Sequence, residues 1–345
     1  MNTEGWKIKS IRMDGLLHRH DIYYQLHPKI NILGGANGSG KSTILHALAH
    51  LLEVLRSSVK REENIHCEAQ FDSIATTFLS GLVLKMEKEV STSKEVIGVE
   101  EIKGQKKNRV NVHETLSFKT RIHYPEDKED VLVPNHVVYV NSSDLAIRTI
   151  SHIAEISVSD GRPGKTVLDV LLRDALNTRN QLFTARIGGV MQSSDKPEIE
   201  NLLELFGRFD KAVKRFMPEY TLKDTSTLTF TRNDDKETDI MYFRLSTGEK
   251  QLLYILLTVC NTMGEATILL LDEADTGLHI DWKKILLREI LAINPNMQVI
   301  AATHSPSLID GWYDNVREVS QLYVDSTQLR SDESEWEVKT VATEE

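Results

Sequence analysis

The chain has 345 residues, enough for one large or two ordinary domains with a proper core, and its 40% hydrophobic and 27% charged content is that of a globular protein. A formal net charge of −10 argues against wholesale coating of nucleic acid, while leaving room for a local basic face. Cys67 and Cys260 stand in no metal-ligand spacing, no apolar run is long enough to cross a bilayer, and the first residues do not resemble a signal peptide, so a cytoplasmic protein with no membrane partner is expected.

Residues 7–14 and 21–26 read as two strands joined by a polar turn, Gly15 to His20. The apolar run Ile30 to Leu33 reads as a third, and the three are expected to share the sheet that delivers the next element. His18, Arg19 and His20 in the turn read as a solvated loop, with nucleotide contact as the alternative. After Leu33 the chain breaks into glycines, and a helical pattern starts at Lys41 and continues through Leu45, Leu48, Leu51, Leu52 and Leu55. Strand, glycine-rich turn and helix make Gly35-Ala36-Asn37-Gly38-Ser39-Gly40-Lys41-Ser42-Thr43 a phosphate-binding loop. Gly35, Gly38 and Gly40 let successive N–H groups curl around an anion, and the helix start adds its positive dipole end. Lys41 is placed to reach the terminal phosphates and the Ser42 hydroxyl to ligate Mg²⁺. His46 and His50, four apart on this helix, lack a framing carboxylate motif and read as surface histidines.

Lys60 to Glu63 is a charged break. Leu82–Val90, Glu95–Ile102 and Val110–Ile122 alternate as a β-meander, with Gly104 to Arg109 as a basic turn. Lys103, Lys106, Lys107 and Arg109 could meet a phosphate backbone, although a charged hairpin tip is more often simply solvated. After the acidic loop Tyr124 to Asp130, His136 to Val140 reads as a buried strand returning to the main sheet. Helices are expected over Lys165–Thr178 and Glu198–Phe216, with Gly188–Pro197 as a polar connector and no sustained heptad.

Thr225–Arg232 and Asp239–Arg244 are expected as strands around the turn Asn233 to Lys236. Leu245-Ser246-Thr247-Gly248-Glu249-Lys250-Gln251 then leads into an apolar helix, Leu252 to Val259. Ala266–Leu271 is a buried strand ending in Asp272-Glu273-Ala274-Asp275, Leu286–Leu291 belongs to an amphipathic helix, and Gln298–Ala302 is a buried strand ending in Thr303-His304-Ser305-Pro306. The acidic stretch Ser331–Glu345 is expected to fray.

A strand tip bearing two carboxylates is the partner a phosphate loop needs. Asp272 can hold Mg²⁺, and Glu273, pointing elsewhere, can accept a proton from water attacking a γ-phosphate. Ser246 and Gly248 start a second helix with free N–H groups, which invites the γ-phosphate held by another copy and so a nucleotide sandwiched between two subunits. The plain alternative is an N-cap at Ser246. His304, beyond its strand, is placed to sense the γ-phosphate.

These residues resemble the ATP-binding cassette (ABC) superfamily. Gly35–Ser42 looks like its Walker A, Leu245–Gln251 its signature, Leu269–Glu273 its Walker B, Asp275–His279 its D-loop and Thr303–Ser305 its switch histidine, in the family's order. The long interval from Lys41 to Asp272 and the wording of the motifs look like the SMC/RecF/OLD branch rather than transporters. Too few residues follow His304 for an OLD-type Toprim nuclease, and the pattern looks most like stand-alone ATPase subunits of bacterial anti-phage systems such as Septu, PARIS and retrons. The resemblance implies an α/β ABC ATPase head with a mixed central sheet, an antiparallel β-subdomain and a compact β/helical insert in place of a coiled coil. It divides the chain into 1–55 (N-terminal lobe), 56–225 (insert), 226–330 (C-terminal lobe) and 331–345 (tail). It implies ATP and Mg²⁺ as ligands, Asp275 as a nucleotide-site residue, a homodimer or larger assembly closed on ATP, and a separate effector, a nuclease or toxin. The rival readings are a RecF-like DNA-repair ATPase binding DNA directly, and a nucleotide-gated scaffold with little turnover. Asn141 and Gln70 are both candidates for the family's Q-loop residue.

Overall fold

The computed structural model describes residues 4–53, 55, 70–102, 105–125, 132–141, 166–193 and 196–324. In chain order its elements are β1 (Ile8–Leu16), β2 (His20–Gln25), β3 (Ile30–Gly34), α1 (Lys41–Glu53), β4 (Ser73–Phe78), β5 (Val83–Ile102), β6 (Gln105–His123) and β7 (His136–Asn141). There follow α2 (Val167–Ser193), α3 (Lys196–Phe216), β8 (Tyr220–Asp224), β9 (Thr229–Arg232), β10 (Ile240–Met241), α4 (Thr247–Cys260) and β11 (Thr267–Asp272). The last are α5 (Ile280–Ile293), β12 (Met297–Ala302), α6 (Pro306–Ile309), β13 (Val316–Glu318) and β14 (Tyr323–Val324). The chain divides into two compact units, one of Met1–Pro28, Asn37–Val133 and Val319–Glu345, the other of Lys29–Ala36 and Pro134–Glu318.

The first unit is a six-stranded antiparallel sheet, β14-β2-β1-β4-β5-β6, with α1. β1 alternates in burial as a half-buried strand should, with Ile11 and Met13 fully buried on one face. α1 buries the stripe Ile44, Leu45, Leu48, Leu51 and Leu52. β5 pairs with β6 along its whole length, from Val83↔His123 to Ile102↔Gln105, whereas β4 reaches only Val83 to Glu87. Lys88 still donates its N–H to the Asp72 carbonyl at 2.9 Å, and beyond it the two strands form a ribbon paired, among the described residues, only with each other. The expected break between Val90 and Glu95 is absent: one strand runs through, because no proline or paired turn residues interrupt it, and the irregularity falls at a bulge between Val96 and Gly98. At the ribbon's end Lys106 and Lys107 stand in register with Glu101 and Glu100. Lys103 and Gly104, Lys60 to Glu63, Cys67, Glu126 to Asp130, Lys165 and the tail Ser331–Glu345 lie outside the described residues.

The second unit is built on a wholly parallel sheet, β13-β3-β12-β11-β7, with a small antiparallel sheet, β10-β9-β8. β3, β11 and β12 are buried at every position, which explains their near-continuous apolar sequences: a strand covered on both faces has no use for alternation. The expected grouping of the Ile30 strand with β1 and β2 is corrected here. Its unbroken apolar run suits a parallel interior, and it pairs with β12 and β13 instead. Leu168 and Leu172 of α2, Phe209 and Phe216 of α3, and Leu252 and Leu256 of α4 share one core with the sheet. The expected connector at Gly188–Pro197 is mostly helical: α2 runs through both glycines to Ser193, and α3 begins at Lys196 with Pro197 in its first turn, where a missing N–H costs nothing. β7 is the outermost described strand beside β11, and only Val140 of it is buried. No helix among the described residues is long and apolar enough to cross a membrane.

Candidate nucleotide site

Parallel strands put their carboxyl ends on one edge, where α/β sheets bind ligands. The register here is unusually direct: Leu33 pairs with Ala302, Ala302 with Asp272, and Asp272 with Asn141, so these four residues form one row across the sheet. The residues one step beyond that row are Gly34 leading into the phosphate loop, Thr303 before His304, and Glu273. Asn141, one of the two Q-loop candidates, is directly opposite Asp272. Gln70 lies in the other unit, where its carbonyl accepts a hydrogen bond from the Leu17 N–H at 2.6 Å.

Asp272 is 7% exposed and accepts a hydrogen bond at Oδ2 from the Tyr139 phenol at 3.1 Å. Glu273 has φ +51°, a left-handed conformation a β-unbranched acid enters only at a cost of roughly 1–3 kcal/mol. Its Oε1 is 3.2 Å from His304 Nε2, and its N–H donates to the Ala302 carbonyl at 2.9 Å. Asp275, 4% exposed, does not reach outward: its carboxylate is held by Thr303 Oγ1 at 2.9 Å and Lys283 Nζ at 3.3 Å. Thr303 Oγ1 also accepts from the Ser305 N–H at 2.9 Å, so Asp275 and the turn carrying His304 are tied together.

Ser246 caps α4. Its Oγ accepts from the Glu249 N–H at 3.3 Å while the Glu249 carboxylate accepts from the Ser246 N–H at 2.6 Å, a complete capping box. The N-cap alternative is thus realised within the chain, and the serine O–H remains a donor for a further acceptor. Burial first, then the neighbouring Glu249 carboxylate, push the Tyr220 phenol above its ordinary range. Lys250 pairs with Asp169 at the start of α2 at 2.8 Å. Gln251 Nε2 donates to the carbonyls of Ala274 and Thr276 at 2.6 and 2.8 Å. A Cβ on Gly248 would meet the Gly277 carbonyl at 3.0 Å, a tight contact that glycine avoids. Sequence reasoning had marked Ser246 and Gly248 but missed Tyr139, Asp169 and Lys283, which announce themselves only through pairing between distant segments.

The loop read as phosphate-binding takes positive φ at three of its glycines. Gly35, Gly38 and Gly40 have φ of +129°, +76° and +98°, open to glycine and strained for other residues. A side chain at Gly40 would also run into Leu16, at 3.0 Å. α1 opens with the Ile44 N–H donating to the Gly40 carbonyl at 2.9 Å; Lys41 is buried, Ser42 exposed and Thr43 half-buried. Ala36 and Asn37 are exposed. Ser39 Oγ is buried with no hydrogen-bond partner among the described residues. His46 and His50 face each other at 3.2 Å, and no cluster of three or more His, Cys, Asp or Glu among the described residues could hold a metal on its own. Mg²⁺ is compatible with that, since it is bound by one or two oxygen ligands plus phosphates rather than by an all-protein cage. Ser42 and Asp272 are hard oxygen donors of that kind.

A family model described as "AAA domain, putative AbiEii toxin, Type IV TA system" (AAA_21) matches residues 30–310. The chain is 23% identical to the "Retron Vc95 probable ATPase" of Vibrio cholerae serotype O1 biovar El Tor, over 81% of this chain and 66% of that protein, so it spans just under two thirds of that relative. It is 21% identical to "Septu protein PtuA" of Bacillus thuringiensis, over 88% of this chain and 72% of that protein. Among solved structures, the SmcHead bound to the C-winged helix domain of ScpA superposes with a TM-score of 0.52 at 13% identity, covering 88% of this chain and 91% of that one. The last likeness concerns the fold alone and agrees with the expected α/β head containing both parallel and antiparallel sheets. With Gly35–Ser42, Asp272, Glu273 and His304 all inside the matched span, the chain belongs to the AAA_21 family of ATPases and has an SMC-head-like fold.

Proposed function

We propose that this chain binds ATP with Mg²⁺ and hydrolyses it in a dimer that closes on two nucleotides, and that the change between closed and open forms controls a partner effector, a nuclease or toxin, in cytoplasmic anti-phage defence. The row Leu33–Ala302–Asp272–Asn141 carries the reading, because it delivers a phosphate loop, a carboxylate pair and a histidine from one sheet edge. The relatives named for a retron and for Septu support the setting.

In this reading the loop N–H groups from Ala36 to Thr43 and Lys41 hold the phosphates, and the Ser39 hydroxyl, without a partner among the described residues, meets a phosphate oxygen. Ser42 and Asp272 hold Mg²⁺, which when bound neutralises charge on the phosphate oxygens. Glu273 accepts the proton of the attacking water, and His304, 3.2 Å from it, holds the carboxylate in place and meets the γ-phosphate. Asp275 positions His304 through Thr303. Ser246 and the α4 N-terminus complete the site of the second copy, and Gly248 lets α4 approach the Gly277 turn closely enough to do so.

Replacing Glu273 by Gln removes the proton acceptor while keeping shape, and should cut turnover by about 10²–10⁴-fold with ATP binding retained. Light scattering should then find E273Q as a dimer with ATP and a monomer without it. An ATP-loaded E273Q that stays monomeric overturns the dimer.

A further inference from the structure

β7 runs parallel to β11 with Tyr139 opposite Leu270 and Asn141 opposite Asp272. Residues two apart on a strand share a face, so Tyr139 and Asp272 lie on one face about 6.6 Å apart along the strand direction. A serine or threonine could not span that offset. The tyrosine does, and its phenol donates to Asp272 Oδ2 at 3.1 Å.

We propose that Tyr139 is a positioning residue for the carboxylate that would hold Mg²⁺: its phenol, bonded to Oδ2, helps to set the rotation of Asp272. The inference rests on the ATP–Mg²⁺ reading above and deepens it. A carboxylate only 7% exposed needs hydrogen-bond donors, and the choice of donor matters here. Lysine or arginine at 139 would neutralise the charge that attracts the cation. A phenol satisfies one oxygen and leaves the negative charge in place. Mg²⁺ demands near-ideal octahedral geometry and tolerates little rotation of its ligands, so a carboxylate set at the right rotation binds it better than one set less well. Holding β7 to β11 does not require this hydroxyl, because their backbone ladder runs from Thr267↔His136 to Asp272↔Asn141.

The test is a Mg²⁺ titration of the full chain with a fluorescent ATP analogue, alongside the analogue's affinity in EDTA. Tyr139→Phe keeps the ring and removes only the donor. It should raise the Mg²⁺ midpoint about 10-fold, within the range for loss of a ligand-orienting partner, while affinity in EDTA stays at the wild-type value. Asp272→Asn should raise the midpoint at least as far, and the double variant no further than Asp272→Asn alone, the non-additivity of groups acting through one another. A wild-type Mg²⁺ midpoint in Tyr139→Phe overturns the proposal. So does a fall in EDTA affinity, since the hydroxyl then serves the nucleotide pocket as a whole rather than the metal-holding carboxylate. Equal binding by the wild-type protein with and without Mg²⁺ overturns the ATP–Mg²⁺ reading itself and the inference with it.

Discussion

Asp169 stands at two junctions. With Thr166 it forms the box that starts α2: Thr166 Oγ1 accepts from the Asp169 N–H at 3.1 Å, and Asp169 Oδ2 accepts from the Thr166 N–H at 3.0 Å. Its other oxygen takes Lys250, from the signature stretch, at 2.8 Å. Burial pushes the carboxyl up, but the Lys250 and Thr166 hydrogen bonds together outweigh it and hold Asp169 below the usual aspartate range. A depressed folded-state value means stability that is present above the unfolded aspartate value and is lost as pH falls through the folded one. Asp169→Asn should therefore cost about 1–3 kcal/mol at neutral pH, the worth of hydrogen bonds to a charged group. The gap between the two proteins should close as the pH is taken below the ordinary aspartate range. Urea midpoints at neutral and acid pH measure this, and a gap that persists unchanged into acid would show that the charge is irrelevant.

At the scale of elements, α4 is the best-anchored start in the second unit. Glu249 closes its cap, Lys250 ties it to α2, and Gln251, 3% exposed, ties it to the turn after β11 through two carbonyls. Gln251→Leu keeps the bulk and strands both carbonyls, for a loss of about 1–3 kcal/mol per unsatisfied group. Because that turn carries Asp275, which holds Thr303 beside His304, turnover should fall while nucleotide affinity is retained. Equal losses in both would mean the glutamine merely supports the fold. The motifs at these chain positions were legible in sequence because a phosphate loop needs glycines at fixed offsets, and because buried parallel strands write themselves as apolar runs such as Ile268 to Leu271. What joins them was not. That β3 neighbours β12 rather than β1, or that Tyr139 reaches Asp272, depends on pairings between segments far apart in the chain, which local pattern does not encode. The helix across Gly188 and Gly189 was misread for the opposite reason: local glycine signals lost to a long helix whose Leu168, Leu172 and Leu176 are already buried.

At the scale of the whole molecule the question is where Ser246 acts. In the single chain its side chain caps α4, accepting from the Glu249 N–H at 3.3 Å, which a serine could do with no catalytic purpose. The dimer reading adds that its O–H donates to a phosphate held by the other copy, and this is separable from capping by mixing. Ser246→Arg leaves Lys41 intact but blocks the donated face; Lys41→Ala empties the phosphate loop but leaves Ser246 intact. Each alone should be inactive. In a two-fold dimer of one of each, the Lys41 of the Ser246→Arg copy meets the Ser246 of the Lys41→Ala copy, and one of the two sites is whole. Random pairing of equal amounts then predicts recovery of about a quarter of wild-type turnover. Ser246→Ala, which also removes the cap but adds no bulk, controls for the roughly 1 kcal/mol lost in capping. If the mixture recovers nothing while both variants remain folded and Ser246→Arg still binds ATP, Ser246 acts within its own chain and the shared-site dimer falls.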